Sequence, residues 1–341
     1  MNRVSVFIAS SIFFSSCAKH DLPIPNSTHP ELTQIPEGFP EIDYPEGNEF
    51  TKERWTLGKR LFYDSILSID KSTSCASCHD PKLAFSDDKA VSFGASNQSG
   101  TRNSPTLANV AYHPYYTREG GVPTLEMQVL VPIQEHNEFN TNIVTLAEIL
   151  NADADYVKMS QDAYGRNPDP YVITRALANF ERTLISGNSA YDQFVYQGDI
   201  SALDPNQKSG MELFNGKAMC SSCHSGFNFT NYAFENNGLY VSYEDPGRYR
   251  FTLDSADLAK FKVPTLRNIA LTAPYMHDGS IQTLEDVVEH YSEGLSEHPN
   301  RSNMLKPLML NVQEKADLVA FLIALTDEQF VSNPKFDDNE E

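Results

Sequence analysis

Wherever apolar positions along this chain show a pattern, the spacing is that of a helix. Leu57, Leu61 and Phe62 share one face of a segment beginning near Trp55. Helical patterning returns over Thr141 to Leu150. It is strongest over Pro170 to Ser186, where Ile173, Leu177, Phe180 and Leu184 fall at helical intervals. Pro170 stands early in that segment, where a missing N–H costs little. Asp204 reads as a cap, with Pro205 opening a helix that carries Met211, Leu213 and Phe214. Thr283-Leu284-Glu285-Asp286 resembles a capping box opening a helix through His290 and Tyr291. A last helix is expected from about Val312 to Thr326, with Leu318, Phe321, Leu322 and Leu325 as its apolar stripe. No segment alternates like a convincing strand, so the pattern predicts a mainly α fold.

The stretches between are as informative. Asp80 to Gln128 is rich in Gly, Ser, Asn and Pro, and irregular runs of that length inside compact domains are usually functional. Residues 18–50 hold Pro23, Pro25, Pro30, Pro36, Pro40 and Pro45 with little periodicity, which predicts an extended tether. The acidic tail, 334–341, is expected to fray. At the other end, Arg3 precedes an apolar run from Val4 to Phe14, then Ser15-Ser16 before Cys17. This is the pattern of an export signal, too short to span a bilayer, and it predicts a periplasmic location. The small-residue pair before Cys17 resembles a bacterial lipoprotein cleavage box, which would make Cys17 a lipidated anchor. The alternative is an ordinary signal peptide over 1–17 with Cys17 incidental.

Composition narrows the function classes. With 341 residues and 40% hydrophobic content the chain has material for two domains with real cores. Lys and Arg total 26 against 46 Asp and Glu, a net charge of −20. That argues against nucleic acid, which is held by basic patches. It suits either steering of a cationic partner or a plain solvated acidic face.

The chemistry is carried by a pentapeptide that occurs twice: Cys75-Ala76-Ser77-Cys78-His79 and Cys220-Ser221-Ser222-Cys223-His224. Both have the form C-x-x-C-H, the attachment signature of c-type heme. Two sulfurs at this spacing reach the two vinyl groups of one porphyrin, and the adjoining histidine lies under the iron. Scattering 5 Cys and 9 His at random over the chain would give roughly 0.002 such matches. A zinc site pairing the two C-x-x-C units would leave both histidines unexplained, and a redox dithiol is the other alternative. The motifs predict two covalently bound c-type hemes, in cytochrome c-like domains at 51–196 and 197–333 with long irregular loops. The text between the two copies does not look repetitive.

With both motifs placed, their surroundings resemble the bacterial diheme cytochrome c peroxidase family, which includes the MauG-like enzymes. The resemblance runs from about Gly58 to Leu325. It rests on Ser74 to Pro81, on Thr101-Arg102-Asn103-Ser104-Pro105-Thr106-Leu107, and on Leu125-Glu126-Met127-Gln128 with Pro132 and Glu138. It also rests on Val263 to Asn268 and on Ala273 through Gly279. The resemblance implies a peroxidatic heme on His79 and an electron-accepting heme on His224. It implies reduction of hydrogen peroxide to water with electrons from a small cytochrome or copper protein. It assigns Glu138 as the acid/base and Gln128 as the group orienting peroxide. A carboxylate within hydrogen-bond reach can move a proton from one peroxide oxygen to the other. It further implies one Ca²⁺ between the hemes on Asn103, Thr272 and Pro274, and members of the family are often homodimers.

Three positions depart from the family pattern. Many of its peroxidases carry a blocking histidine where Ser92-Phe93-Gly94-Ala95 places Ala95, so the first heme is expected to be open without prior reduction. Peroxidases of the family use Met as the sixth ligand of the second heme and MauG-like enzymes use Tyr. Tyr291 matches, with His290, Met276, Met304 and Met309 as alternatives. An anionic phenolate would lower the potential where a thioether raises it. Finally, the only tryptophan is Trp55, and Arg118 stands where the family often has an inter-heme indole. Tyr115 and Tyr116 are the aromatic residues nearby. Three functions follow: a peroxidase, a MauG-like oxidase of a protein or organic substrate, and a diheme electron carrier. Gln128 and Glu138 argue against the carrier, which needs no distal acid.

Overall fold

The computed structural model describes residues 29–338. The export signal and Cys17 lie outside the described residues.

Two helix pairs form the framework. In the first lobe Lys52–Tyr63 packs against Pro170–Glu181, and in the second Pro205–Asn215 packs against Val312–Ile323. The helix from Pro205 begins at its expected cap, whereas the one expected from near Trp55 starts earlier, at Lys52 after Thr51. The Thr51 hydroxyl accepts from the Arg54 amide. Asp204 exchanges both hydrogen bonds of a capping box with Gln207, a device worth about 1 kcal/mol. Thr283 accepts from the Asp286 amide, but Asp286 turns back onto the Thr283 hydroxyl, so only half of that capping box forms.

The two lobes repeat the same crossing. A Cβ on Gly58 would lie 2.0 Å from the Ala176 carbonyl oxygen, and one on Gly210 would lie 2.0 Å from that of Asp317. No side chain fits at either position, and the backbones touch there. Beside each contact an aromatic pair fills the space: Phe62 on Phe180 at 5.1 Å, and Phe214 on Phe321 at 5.2 Å. The likeness extends into the loops, whose text does not look repetitive at first sight. Pro105-Thr106-Leu107 and Pro264-Thr265-Leu266 lead to Asn109 and Asn268, both left-handed at φ 60° and 58°. The Asn109 amide donates to the Leu184 carbonyl, and that of Asn268 to Leu325. Each asparagine side-chain oxygen then caps the next free amide, Ser186 in one lobe and Asp327 in the other.

That capture explains why Pro170–Glu181 stops short of Ser186: Asn109 takes the backbone groups a longer helix would use. Among the described residues, two helices of six residues or more are absent from the apolar pattern altogether. Ala154–Tyr164 buries only Tyr156, Ser160 and Ala163, too small and polar a stripe to register. Ala190–Val195 is short and held by the Ser189 capping box. Among the described residues the one sheet is a two-stranded antiparallel pair, Phe234–Glu235 with Phe261–Lys262. The fold is therefore mainly α, with most of Asp80 to Gln128 irregular, as read.

The two ends behave differently from the reading. Within the Pro-rich segment, residues 29–50 are docked rather than a free tether. Phe39 packs on Phe227 of the second lobe at 4.6 Å. Asn48 is fully buried in the first, donating to Glu126 and the Arg175 carbonyl and accepting from the Tyr164 hydroxyl. At the far end Phe330 and Phe336 enter the first lobe's core, so the tail is anchored through Phe336 rather than frayed.

Candidate active site

Each pentapeptide forms a tight turn, Cys75–Ser77 and Cys220–Ser222, closed by amide-to-carbonyl bonds of 3.2 Å from Cys78 and Cys223. All four thiols are unpaired and half-buried. Burial raises the pKa of each, that of Cys220 to about 12. A redox dithiol needs the opposite shift, so that alternative falls. Among the described residues no three His, Cys, Asp or Glu side chains converge on a metal position, so the two motifs do not share a zinc site.

The histidines are set for ligation. His79 Nδ1 lies 2.8 Å from the Phe85 carbonyl and His224 Nδ1 lies 3.1 Å from that of Phe229. A carbonyl only accepts, so Nδ1 carries the proton in both rings. Burial depresses both pKa values and keeps the rings neutral. Nε2 therefore presents a lone pair, as a heme-iron ligand must. Two free thiols beside one oriented imidazole, twice over, fit two c-type hemes.

Around the first motif, Glu138 lies near enough for its charge to be felt at both Cys75 and Cys78. The side chain has open surface but is crowded by protein on most sides. That crowding, with a smaller push from Glu135, lifts its pKa to about 7. The carboxyl is thus poised between its two forms near neutrality. Its backbone is gripped by the loop that carries Ala95: the Ala95 amide donates to the Glu138 carbonyl at 2.7 Å. A Cβ on Gly94 would lie 2.2 Å from the Asn137 oxygen, so only glycine lets this loop approach. Ala95 is buried, and its methyl group has no atom that could ligate iron.

Gln128 ends the short helix Leu125–Gln128, and its Oε1 is buried without a hydrogen-bond partner. An unsatisfied buried amide oxygen costs about 1–3 kcal/mol and is expected where a ligand supplies the missing donor. The helix is fixed by Glu126, which accepts a two-pronged bond from Arg182 at 2.7 and 3.0 Å. A further carboxyl, Glu181, was not foreseen. Burial lifts its pKa to about 8, and its charge too is felt at Cys75.

Near the second motif, Tyr291 lies in the helix Leu284–Glu293, whose Thr283-Leu284-Glu285 start repeats Thr124-Leu125-Glu126 of the first lobe. Burial raises the Tyr291 pKa to about 12, and both Cys220 and Cys223 contribute to that shift. The alternatives fare less well. His290 Nε2 lies 3.1 Å from the Asn237 carbonyl, which requires a proton on that nitrogen. Met304 and Met309 are exposed. Met276 Sδ accepts from the Asn237 side chain at 3.1 Å. Asn237, which also hydrogen-bonds Tyr291, gave no sequence signal of its own.

Between the motifs lies a cluster of charges. Arg102 binds Glu119 and Asp245, the latter at 2.6 and 3.0 Å. Lys262 donates from Nζ to the Tyr115 carbonyl, and burial lowers its pKa to about 8. Arg118, at the expected indole position, donates to the Asn103 carbonyl at 2.7 Å and to its side-chain oxygen at 3.0 Å. The proposed calcium ligand is thus already engaged by a cation. At an effective dielectric constant of ~20, unit charges 4 Å apart repel by about 4 kcal/mol. Asn103, Thr272 and Pro274 supply no formal negative charge to offset that, so the site does not fit Ca²⁺ as expected. Tyr115 stacks on Phe234 at 5.1 Å, and Tyr116 is buried in a small separate cluster.

Comparison with known proteins agrees with this geometry. A family model described as di-haem cytochrome c peroxidase matches residues 52–201. The methylamine utilization protein MauG of Methylorubrum extorquens is 37% identical over 295 residues, covering 85% of this chain and 82% of that protein. The cytochrome-c peroxidase IdrP1 of Pseudomonas sp. (strain SCT) is 33% identical, covering 95% of this chain and 92% of its own length. The crystal structure of a MauG-like protein associated with microbial copper homeostasis superposes with a TM-score of 0.84 at 34% identity. It covers 89% of this chain and 98% of that one. A twice-built lobe, each with a free thiol pair and an oriented histidine, and this degree of likeness lead to one conclusion: the chain belongs to the diheme cytochrome c peroxidase and MauG-like family of oxidoreductases.

Proposed function

We propose that this protein is a peroxidase that reduces hydrogen peroxide to water at the His79 side, using electrons received at the His224 side from a small redox protein. The observation that carries this reading is Glu138, a carboxyl whose charge reaches Cys75 and Cys78 and which crowding by protein holds well above the usual carboxylate range. A heme held there by Cys75, Cys78 and His79 would supply the electrons for breaking the O–O bond. Glu138 takes the proton from one peroxide oxygen and returns it to the other, the departing one. Gln128, with its unsatisfied Oε1, accepts from the peroxide O–H and orients it. Each turnover consumes two electrons and two protons and yields two waters. The net charge of −20 supports steering of a cationic donor such as a basic cytochrome c. We also infer export, with acylation of Cys17 as the membrane tether. No described helix is long and apolar enough to cross a membrane.

The second reading is a MauG-like oxidase, favoured by Tyr291 and by the relatives that carry the MauG name. Steady-state assays with peroxide and a reduced small cytochrome separate the two. Sustained oxidation of two donor molecules per peroxide supports the peroxidase. Oxidising equivalents held by the protein for long periods, with slow donor oxidation, support the oxidase. No peroxide consumption leaves only the electron carrier.

Tyr291 is proposed as the sixth ligand at the His224 side. Tyr291→Met is expected to raise the reduction potential of that heme alone, because a thioether favours the reduced iron. Spectroelectrochemical titration with EPR of the oxidised protein checks this. An unchanged potential and ligand-field signature would assign ligation to another residue.

A further inference from the structure

The family resemblance puts a calcium ion on Asn103, and in this chain Asn103 is fully committed elsewhere. We infer that the Arg118 guanidinium is the resident cation of this position, holding Asn103 in place of a calcium ion. Three bonds make the assignment: Arg118 NH2 to the Asn103 carbonyl at 2.7 Å, Nε to the same oxygen at 3.2 Å, and NH2 to Oδ1 at 3.0 Å. The remaining polar atoms of Asn103 are also used. Its Nδ2 donates to the Lys89 carbonyl at 3.0 Å, and its amide donates to the His277 carbonyl at 2.9 Å. Asn103 thereby joins three loops, around Lys89, Arg118 and His277, which is the bridging work a shared metal ion would do.

The charge on Arg118 is secure and fixed. Burial, with Arg102 nearby, lowers its pKa to about 10, so it stays protonated at neutral pH. Its backbone carbonyl accepts from the Lys262 amide at 2.7 Å, which holds the residue against the short strand. A divalent ion on Oδ1 would face this guanidinium. The nearby carboxylates already serve the resident cations: Glu119 and Asp245 are bound to Arg102, and with Asp278 they favour the charged form of Arg118. The repeat sharpens the point: Arg118-Glu119-Gly120 stands in the first lobe where His277-Asp278-Gly279 stands in the second. The two matching positions thus meet across Asn103, Arg118 through its guanidinium and His277 through its backbone carbonyl. A single residue accounts for both the missing indole and the displaced metal.

The test does not depend on the catalytic reading. Holoprotein equilibrated with Ca²⁺ and freed of unbound ion by gel filtration is expected to hold well under one calcium per chain by mass spectrometry. Its melting temperature should not move on addition of EGTA. One tightly held calcium per chain, with a fall in melting temperature in EGTA, would overturn the proposal. Arg118→Met, which keeps length but removes charge, should bind calcium and gain a Ca²⁺-dependent rise in melting temperature of roughly 2–4 °C. Arg118→Lys should not respond. If the methionine variant is as indifferent to calcium as the parent, or the lysine variant responds equally, the guanidinium is not the excluding charge and the assignment fails. The wild-type measurement decides the matter even if the methionine variant does not fold.

Discussion

In the Glu138→Gln protein, peroxide turnover falls by roughly 10²–10⁴-fold, the usual contribution of a positioned acid/base, while both heme absorption bands keep their positions. Glutamine preserves shape and the backbone bond to Ala95, so the loop that carries Ala95 stays as it is. Only proton transfer is lost. The pH profile provides a second readout. The carboxyl titrates at about 7, and its proton-accepting form is the carboxylate. Wild-type activity should therefore fall as pH drops through about 7, and the residual activity of the variant should lack that limb. Stopped-flow kinetics across this range measure both. Unchanged turnover with normal spectra would remove Glu138 from the chemistry.

The largest effect on stability is expected at Arg267→Met, a loss of about 3–5 kcal/mol, the range found when one partner of a buried ion pair is removed. Arg267 and Asp192 are both at most 1% exposed and are joined by bonds of 2.8 and 2.9 Å. The guanidinium also donates to the Phe227 carbonyl and lies over the Phe39 ring at 4.6 Å. Truncation leaves Asp192 charged and buried and strips the Phe227 carbonyl of its donors. It also removes the platform on which the 29–50 segment rests. A domain has only about 5–15 kcal/mol in hand, so chemical denaturation should show the midpoint displaced strongly. Arg267→Met with Asp192→Asn should recover part of the loss, since no unpaired charge remains.

What the sequence makes legible is chemistry held within a few residues. The C-x-x-C-H turns, the helical stripes and the cap at Asp204 each write cause and effect side by side, and the structure follows them. Glu138 was reachable only through its family context, because one carboxylate among 46 acidic residues carries no local mark. Contacts that join distant segments left less trace. Asn103 with Arg118, Asn48 with Glu126, and Asn109 with Ser186 are polar residues in irregular loops whose partners are fixed by tertiary packing. The loop repeat is a different case. Pro105-Thr106-Leu107-Ala108-Asn109 and Pro264-Thr265-Leu266-Arg267-Asn268 can be aligned by eye, and doing so would have paired Arg118 with His277 before any coordinates. The docked ends had no such signal: prolines read as extension, and Phe336 sits among acidic residues that read as solvent-facing.

The anchoring of Phe336 bears on how the molecule is made. Phe336 and Phe330 pack on Phe85 at 5.8 and 5.6 Å, and the Phe85 carbonyl is the group that turns His79 toward its ligand position. During synthesis Cys75 and His79 emerge long before these phenylalanines exist. Until they arrive, the wall behind Phe85 lacks two of its rings, so the core of the first heme motif is completed by the last described residues of the chain.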